Sequence, residues 1–351
     1  MQNQTDPKII STQGIERPGN LAPISTMEED WHQSLAQAVR STEELLACVG
    51  LPTSPKGIEH DAVEQFPVFV PHSYIRRMEW GNPTDPLLLQ VLATNAELMT
   101  QKDFTADAVG DHSSRLTPGL LKKYEGRVLL IATGTCAIHC RYCFRRSYPY
   151  GQEPRQLPEW EPAIEALLAD SSIHEVILSG GDPLMLTDQR LADLCDRLQA
   201  IPHVKRLRIH TRLPIVLPNR VTDRLMELLQ SLRLQVLFVV HANHPHEIER
   251  DCPPALRKLV HGGFPVLNQS VLLKGINDDA RSLMELSERL IDLGVIPYYL
   301  HQLDRVTGTG HFEVPIERGR ELIAAMRRDL PGYGVPVYVQ EVAGAPSKVP
   351  L

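Results

Sequence analysis

A chain of 351 residues with 42% hydrophobic content can hold one large domain with an extension, or two domains. Its 36 basic and 43 acidic residues leave a net charge of −7, which argues against nucleic acid as the main partner. The start shows no basic-then-apolar leader, and no run of about 18 apolar residues occurs, so no membrane span is expected. A cytoplasmic, reducing location is the expectation, and it suits the six cysteines as free thiols or metal ligands.

Residues 1–26 are polar and proline-bearing and read as an irregular lead. Residues 27–113 read as a mostly helical region. Trp31, Leu35, Ala38, Val39, Leu45 and Leu46 keep a helical period, and Leu87 to Ala93 reads as another helix. Prolines at 52, 55, 67, 71, 83 and 86 punctuate this stretch. From Arg127 the texture changes. Short apolar runs start at Val128, Glu175, Arg206, Gln235, Pro265 and Ile296, with a possible seventh at Pro336. Helical patterns lie between them at Trp160–Ala169, Leu191–Gln199, Arg224–Ser231, Ala280–Leu293 and Ile316–Arg328. This alternation predicts an α/β fold of βαβ units with a parallel sheet, curled into a closed or partly open barrel over residues 114–340. Residues 341–351 are left as a C-terminal tail.

The polar clusters fall at the ends of the predicted strands. The first strand leads to Cys136, Cys140 and Cys143, and the second to Ser179-Gly180-Gly181-Asp182-Pro183. The third ends in His210-Thr211-Arg212, and the fourth in His241-Ala242-Asn243-His244. Asn268-Gln269-Ser270 sits on the fifth and His301-Gln302-Leu303-Asp304 follows the sixth. Carboxyl ends of parallel barrel strands meet on one face, so these segments should converge on one cavity.

Each cluster also has a plainer reading. Three thiols at C-x3-C-x2-C spacing can hold three irons of a cluster and leave the fourth open, since closed sites usually take four protein ligands. A zinc half-site with a distant fourth ligand is the alternative, with His139 inside the loop. Cys48, Cys195 and Cys252 read as ordinary thiols. Gly-Gly-Asp-Pro is a common turn, Asn243 and His244 could cap a helix, and Asn268 and Gln269 could be satisfied core groups. Arg145 and Arg146 are either a solvated face or an anion clamp. Asp304 could cap a turn or receive a cation, and Lys348 looks like a frayed terminal lysine.

Taken together, these residues resemble the lysine 2,3-aminomutase family of radical S-adenosylmethionine (SAM), pyridoxal-phosphate (PLP) enzymes. The matching text includes Thr135-Cys136-x3-Cys140-Arg-Tyr-Cys143-Phe-Arg145-Arg146, Leu178-Ser-Gly-Gly-Asp-Pro-Leu, Arg208-Ile-His-Thr-Arg212, Gln302-Leu-Asp304 and Gly344-Ala-Pro-Ser-Lys348. The tail looks most like the branch whose product modifies elongation factor P. The resemblance implies a partial (β/α)6-type radical SAM barrel with a helical N-terminal extension.

It also implies roles. Cys136, Cys140 and Cys143 would hold a [4Fe–4S] cluster, and Ser179, Gly180, Gly181, Asp182, His241 and Gln269 would contact SAM. Lys348 would carry PLP, with Tyr124, Arg127 and Arg212 near its phosphate. Arg145 would grip the carboxylate of L-lysine. Asp304 and Glu341 would take its far ammonium, Glu341 standing where the catabolic enzymes carry Asp. The reaction implied moves the amino group from the α- to the β-carbon after hydrogen abstraction by an adenosyl radical. An external electron donor is required, and elongation factor P with its lysyl ligase is the implied functional link. An aminomutase for another amino acid, or one making free β-lysine for metabolism, remains the alternative. An iron–sulfur electron-transfer or sensing protein is the reading from another class.

Overall fold

A computed structural model describes residues 30–52 and 66–351. The predicted lead at 1–26 and the proline stretch around Pro55 lie outside the described residues. Ten strands form one sheet in sequence order, β1 Arg115–Thr117, β2 Leu120–Tyr124, β3 Arg127–Thr133, β4 Glu175–Gly180, β5 Arg206–Thr211, β6 Gln235–Val240, β7 Val266–Val271, β8 Ile296–His301, β9 Val337–Gln340 and β10 Val349–Pro350. The pairs from β3 through β9 are all parallel. Antiparallel β1 and β2 extend one edge and antiparallel β10 the other, and the two edges are not paired. The sheet is therefore an open barrel with a seam between the β1–β2 and β9–β10 edges.

The predicted strands from β3 to β9 lie where the apolar runs placed them. Their interiors are solid: Val128, Leu130, Val176, Leu178, Leu207, Ile209, Phe238 and Val240 are all buried. Between β3 and β9 the crossovers carry α5 Glu161–Ala169, α6 Asp188–Gln199, α8 Asp223–Gln230, α9 Cys252–His261, α10 Ala280–Ile291 and α11 Ile316–Asp329, with a single turn α7 Leu213–Val216 after β5. Side-chain caps fix several starts, as where Thr187, Thr222 and Asp279 accept from the third helical N–H. α9, which opens Cys-Pro-Pro, lies outside the helical patterns predicted above. Prolines fit a first helical turn, whose N–H groups have no intrahelical acceptor.

The N-terminal region differs from the expectation of long helices. The Trp31–Val49 stretch splits into α1 Trp31–Ala36 and α2 Thr42–Cys48, because Ser41 caps the second helix and Val39 pairs as a bridge with Val70. The later pieces, α3 His72–Ile75 and α4 Pro86–Leu89, are single turns. Asp85 accepts from the N–H groups of Leu87 and Leu88 and starts the latter. One core runs from Trp31, Leu45 and Tyr74 of this region into the barrel wall. Among the described residues no helix is long and apolar enough to cross a membrane.

Candidate active site

The carboxyl ends of β3 to β9 bring the polar clusters to one face. β3 runs directly into the cysteine loop. Burial first, and then the charge of neighbouring thiols, pushes Cys143 up to about 11 and Cys136 well above the usual thiol range. Yet among the described residues no three His, Cys, Asp or Glu side chains converge where one metal ion could be held. Three thiols on one loop can each ligate a separate iron of a cluster.

The loop is clasped from both sides. On one side, Gly181 N–H donates to Thr133 O at 2.7 Å and Asp182 N–H to Thr135 O at 2.8 Å. The contact is so close that a Cβ on Gly181 would lie 2.3 Å from Thr135 O, and one on Gly180, at φ +116°, 2.5 Å from Thr133 O. The two glycines are thus required first by the loop itself. Asp182 is committed below them: its carboxylate accepts from Thr211 Oγ1, Arg212 N–H and Leu184 N–H. Burial outweighs those bonds and moves its pKa up to about 6.

On the other side the N-terminal segment holds the loop. Arg141, between the second and third cysteines, donates from Nε and Nη2 to the two oxygens of buried Glu97 at 2.8 and 2.6 Å. Arg146 reaches the same carboxylate at 2.6 Å. Arg141 N–H donates to Gln90 O and His139 N–H to Phe69 O. Arg212, which the resemblance puts near the PLP phosphate, packs against this loop: Nη1 donates to Cys140 Sγ at 2.6 Å, and Nη2 to Gln90 and Glu247 at 2.8 Å each. The buried Glu247 carboxylate and the turn after β5 draw the guanidinium there.

The ambiguous polar residues divide. Asn268 is structural, exchanging two hydrogen bonds with the backbone of Ala242. Asn243 ties Tyr142 of the cysteine loop to the barrel at 2.7 Å, and His244 caps the turn at Pro245–Glu247. His241 and Gln269 face each other at 3.2 Å with no such structural duty. His210 and His301, placed in the strand-end clusters but given no role from sequence, have buried Nε2 atoms without a hydrogen-bond partner. Burial first, and then the charge of Lys348 among others, keep His210, His241 and His301 neutral, with His241 at about 3. Their position at strand ends was the available signal.

At the seam, Lys348 in the hairpin between β9 and β10 donates to Glu341 Oε2 at 2.6 Å. Tyr124 Oη donates to Glu341 Oε1 at 2.7 Å. Burial raises the Glu341 carboxyl, but Lys348, Tyr124 and Lys123 together hold it below the usual range. Asp304 is raised to about 7 by burial, opposed by Lys348 and reinforced by Glu341. Arg127 stacks over the Tyr124 ring at 4.7 Å. Farther along, Arg145 donates from Nε to Asp111 Oδ2 at 2.7 Å and from Nη1 to Ser179 Oγ at 3.2 Å. A lysine, a cation over Tyr124 and orphaned histidine nitrogens fit a phosphorylated, carbonyl-bearing cofactor. The three thiols and the turn after β4 fit a cluster with an open iron.

An open parallel barrel with a three-cysteine loop after its first parallel strand defines a radical SAM enzyme, and residues 130–286 match the Radical SAM superfamily. The chain is 44% identical to "L-lysine 2,3-aminomutase" of Escherichia coli (strain K12) over 324 residues, covering 92% of this chain and 94% of that protein. The protein of the same name from Haemophilus influenzae is 42% identical over 326 residues, covering 93% and 96%. That of Clostridium subterminale is 33% identical, covering 92% of this chain and 77% of its own length. The chain therefore belongs to the L-lysine 2,3-aminomutase family. It is an isomerase with the [4Fe–4S] cluster and SAM of a radical SAM enzyme.

Proposed function

We propose that this enzyme converts L-lysine to β-lysine by moving its amino group from the α- to the β-carbon, and that the product modifies elongation factor P in the cytoplasm. The observation that carries the substrate is the charge order of the site. A guanidinium, Arg145, lies at one end, and two carboxyl groups, Glu341 and Asp304, lie at the other around an ammonium. An amino acid with a second cation on its side chain matches that order, whereas an acidic side chain would meet Glu341 and Asp304.

When bound, the cluster and SAM supply hydrogen-atom abstraction, and PLP supplies an electron-accepting π-system for the migrating nitrogen. The chain's own residues position and exclude. Cys136, Cys140 and Cys143 hold three irons, and Gly180, Gly181 and Ser179 shape the turn beside them. His241 and Gln269 offer neutral hydrogen-bonding groups to SAM. Lys348 would hold PLP through Nζ, with Tyr124 and Arg127 near its phosphate, and Glu341 and Asp304 would take the substrate's far ammonium. An ammonium beside Asp304 favours its ionised form. Arg145 presents two parallel N–H groups to the substrate carboxylate. The uncharged histidines add no competing cation, and fixing both ends aligns the reacting carbons.

Support for the link to elongation factor P is the likeness of the tail, Pro346-Ser-Lys348-Val-Pro-Leu351, to the branch that serves it. The decisive assay is anaerobic incubation of reconstituted protein with lysine, SAM, PLP and a one-electron reductant. β-Lysine should form, and no product with both cofactors loaded would sink the reading. Turnover of another amino acid in preference to lysine would assign that substrate instead. Lys348→Ala should lose PLP fixed by borohydride while iron content stays. Retained PLP after reduction would move the attachment to another lysine. Deleting the gene should remove β-lysyl groups from elongation factor P in intact-mass spectra.

A further inference from the structure

The edge strands β1 and β10 do not pair with each other. A backbone bridge between Thr105 and Val306 and a set of side-chain contacts span the seam. Lys123 on β2 reaches across to Glu341, which follows β9, at 3.7 Å. The same Lys123 ammonium pairs with Asp111 Oδ1 at 2.8 Å and donates to Val109 O at 2.8 Å. Asp111, whose side chain is 2% exposed, holds Arg145 through its other oxygen. Arg145, Asp111, Lys123 and Glu341 thus form one chain of alternating charge. Its two ends are the groups assigned above to the carboxylate and the far ammonium of the substrate.

We infer that Asp111 and Lys123 are positioning residues that set the distance between those two subsites, so that the enzyme selects the chain length of its amino-acid substrate. This rests on the roles of Arg145 and Glu341 given under the proposed function. The physical case has two parts. Arg145 spends its Nε on Asp111, which turns the Nη edge toward Ser179 at the end of β4 and leaves that edge for a carboxylate. Glu341 stands on the far side of the seam, where no strand ladder fixes it relative to β2. Without Lys123, the remaining link across this part of the seam is the hydrogen bond from Tyr124, which anchors Glu341 but does not reach Asp111 or Arg145. The distance between the subsites would then relax with the seam. A site that fixes both ends of a flexible substrate discriminates against one methylene fewer by roughly 10-fold or more, and a relaxed seam gives that up.

The test compares lysine with ornithine, one methylene shorter, on the fully reconstituted enzyme, alongside equilibrium binding of each amino acid. Lys123→Met should raise KM for lysine about 10-fold and lower the lysine-to-ornithine ratio of kcat/KM by a similar factor, with a smaller change in kcat. Lys123→Arg, which keeps the cation, should restore the ratio. Asp111→Asn, which keeps the shape, should act in the same direction as Lys123→Met. Arg145→Lys separates the two levels of the argument. If it raises KM for lysine while Lys123→Met and Asp111→Asn leave the ratio unchanged, the positioning role is wrong and the subsite assignment stands. If Arg145→Lys leaves KM and binding of lysine unchanged, the subsite assignment fails and the positioning role fails with it.

Discussion

Replacing Gly181 with alanine tests how the cysteine loop is held. The new Cβ would meet Thr135 O at 2.3 Å, Thr135 C at 2.7 Å and Gly134 C at 2.8 Å, all backbone atoms that cannot rotate away. Two responses are open to the protein. If the contact is kept, overpacking costs about 1–3 kcal/mol. If the loop retreats, the bonds from Gly181 N–H to Thr133 O and from Asp182 N–H to Thr135 O are lost, at about 0.5–1.5 kcal/mol each. Either way the loss is about 2 kcal/mol, which lowers the melting temperature of a domain this large by about 3 °C. The retreat also moves Cys136, the residue after Thr135, so iron retained after anaerobic reconstitution should fall with it. Gly332→Ala is the control, because a Cβ there meets nothing within 4 Å and its φ lies outside the left-handed region. The assay is a thermal melt of the apoprotein with an iron determination after reconstitution. Melting of Gly181→Ala together with the wild type and Gly332→Ala, at equal iron content, would refute the account of the two glycines.

Two further outcomes follow from the buried charges. Burial pushes the Asp111 carboxyl up, but Arg145 and Lys123 overcome it and hold it at about 2, below its ordinary 3.8. A depressed folded value means stability that is present above pH ~4 and lost as pH falls toward ~2, worth about 2 kcal/mol. Denaturant titrations of wild type and Asp111→Asn should therefore differ by about that amount at pH 6 and converge only below pH ~2, and a constant difference across the range would contradict the pairing. Glu97→Ala leaves Arg141, whose side chain is fully buried, and Arg146 without their shared carboxylate, which should cost about 3–5 kcal/mol and reduce iron retention. A loss below 1 kcal/mol by chemical denaturation would show that other groups suffice to hold the cysteine loop.

Much of the barrel was legible because alternate residues along its strands are fully buried and the strands read as short apolar runs. The runs at Val128, Glu175, Arg206, Gln235 and Ile296 correspond to β3, β4, β5, β6 and β8 within a residue or so. The two-residue strand β10 is too short to leave a pattern, and β1 and β2 at the edge carry Arg115, Thr117, Lys122 and Lys123, which interrupt any apolar run. In the N-terminal region, helical spacing around Trp31–Val49 spoke only for burial on one side. The bridge between Val39 and Val70, which breaks that helix, joins residues 31 positions apart and has no local signature.

The chemistry of the cofactors was written locally. Cysteine spacing, paired glycines and a lysine set in a recognisable tail are properties of neighbouring residues, and covalent connectivity alone brings them together. The sequence by itself therefore determined the class of reaction and the barrel that carries it. Tertiary structure decided what each charge does. Arg212, which the resemblance puts near the PLP phosphate, packs against Cys140 and Glu247 because the turn after β5 ends beside the cysteine loop. Asp111 and Lys123, unremarkable in sequence, link Arg145 to Glu341 because an unclosed barrel brings β2 opposite the end of β9. Pairing across such a seam depends on strand register and closure, which no local pattern encodes.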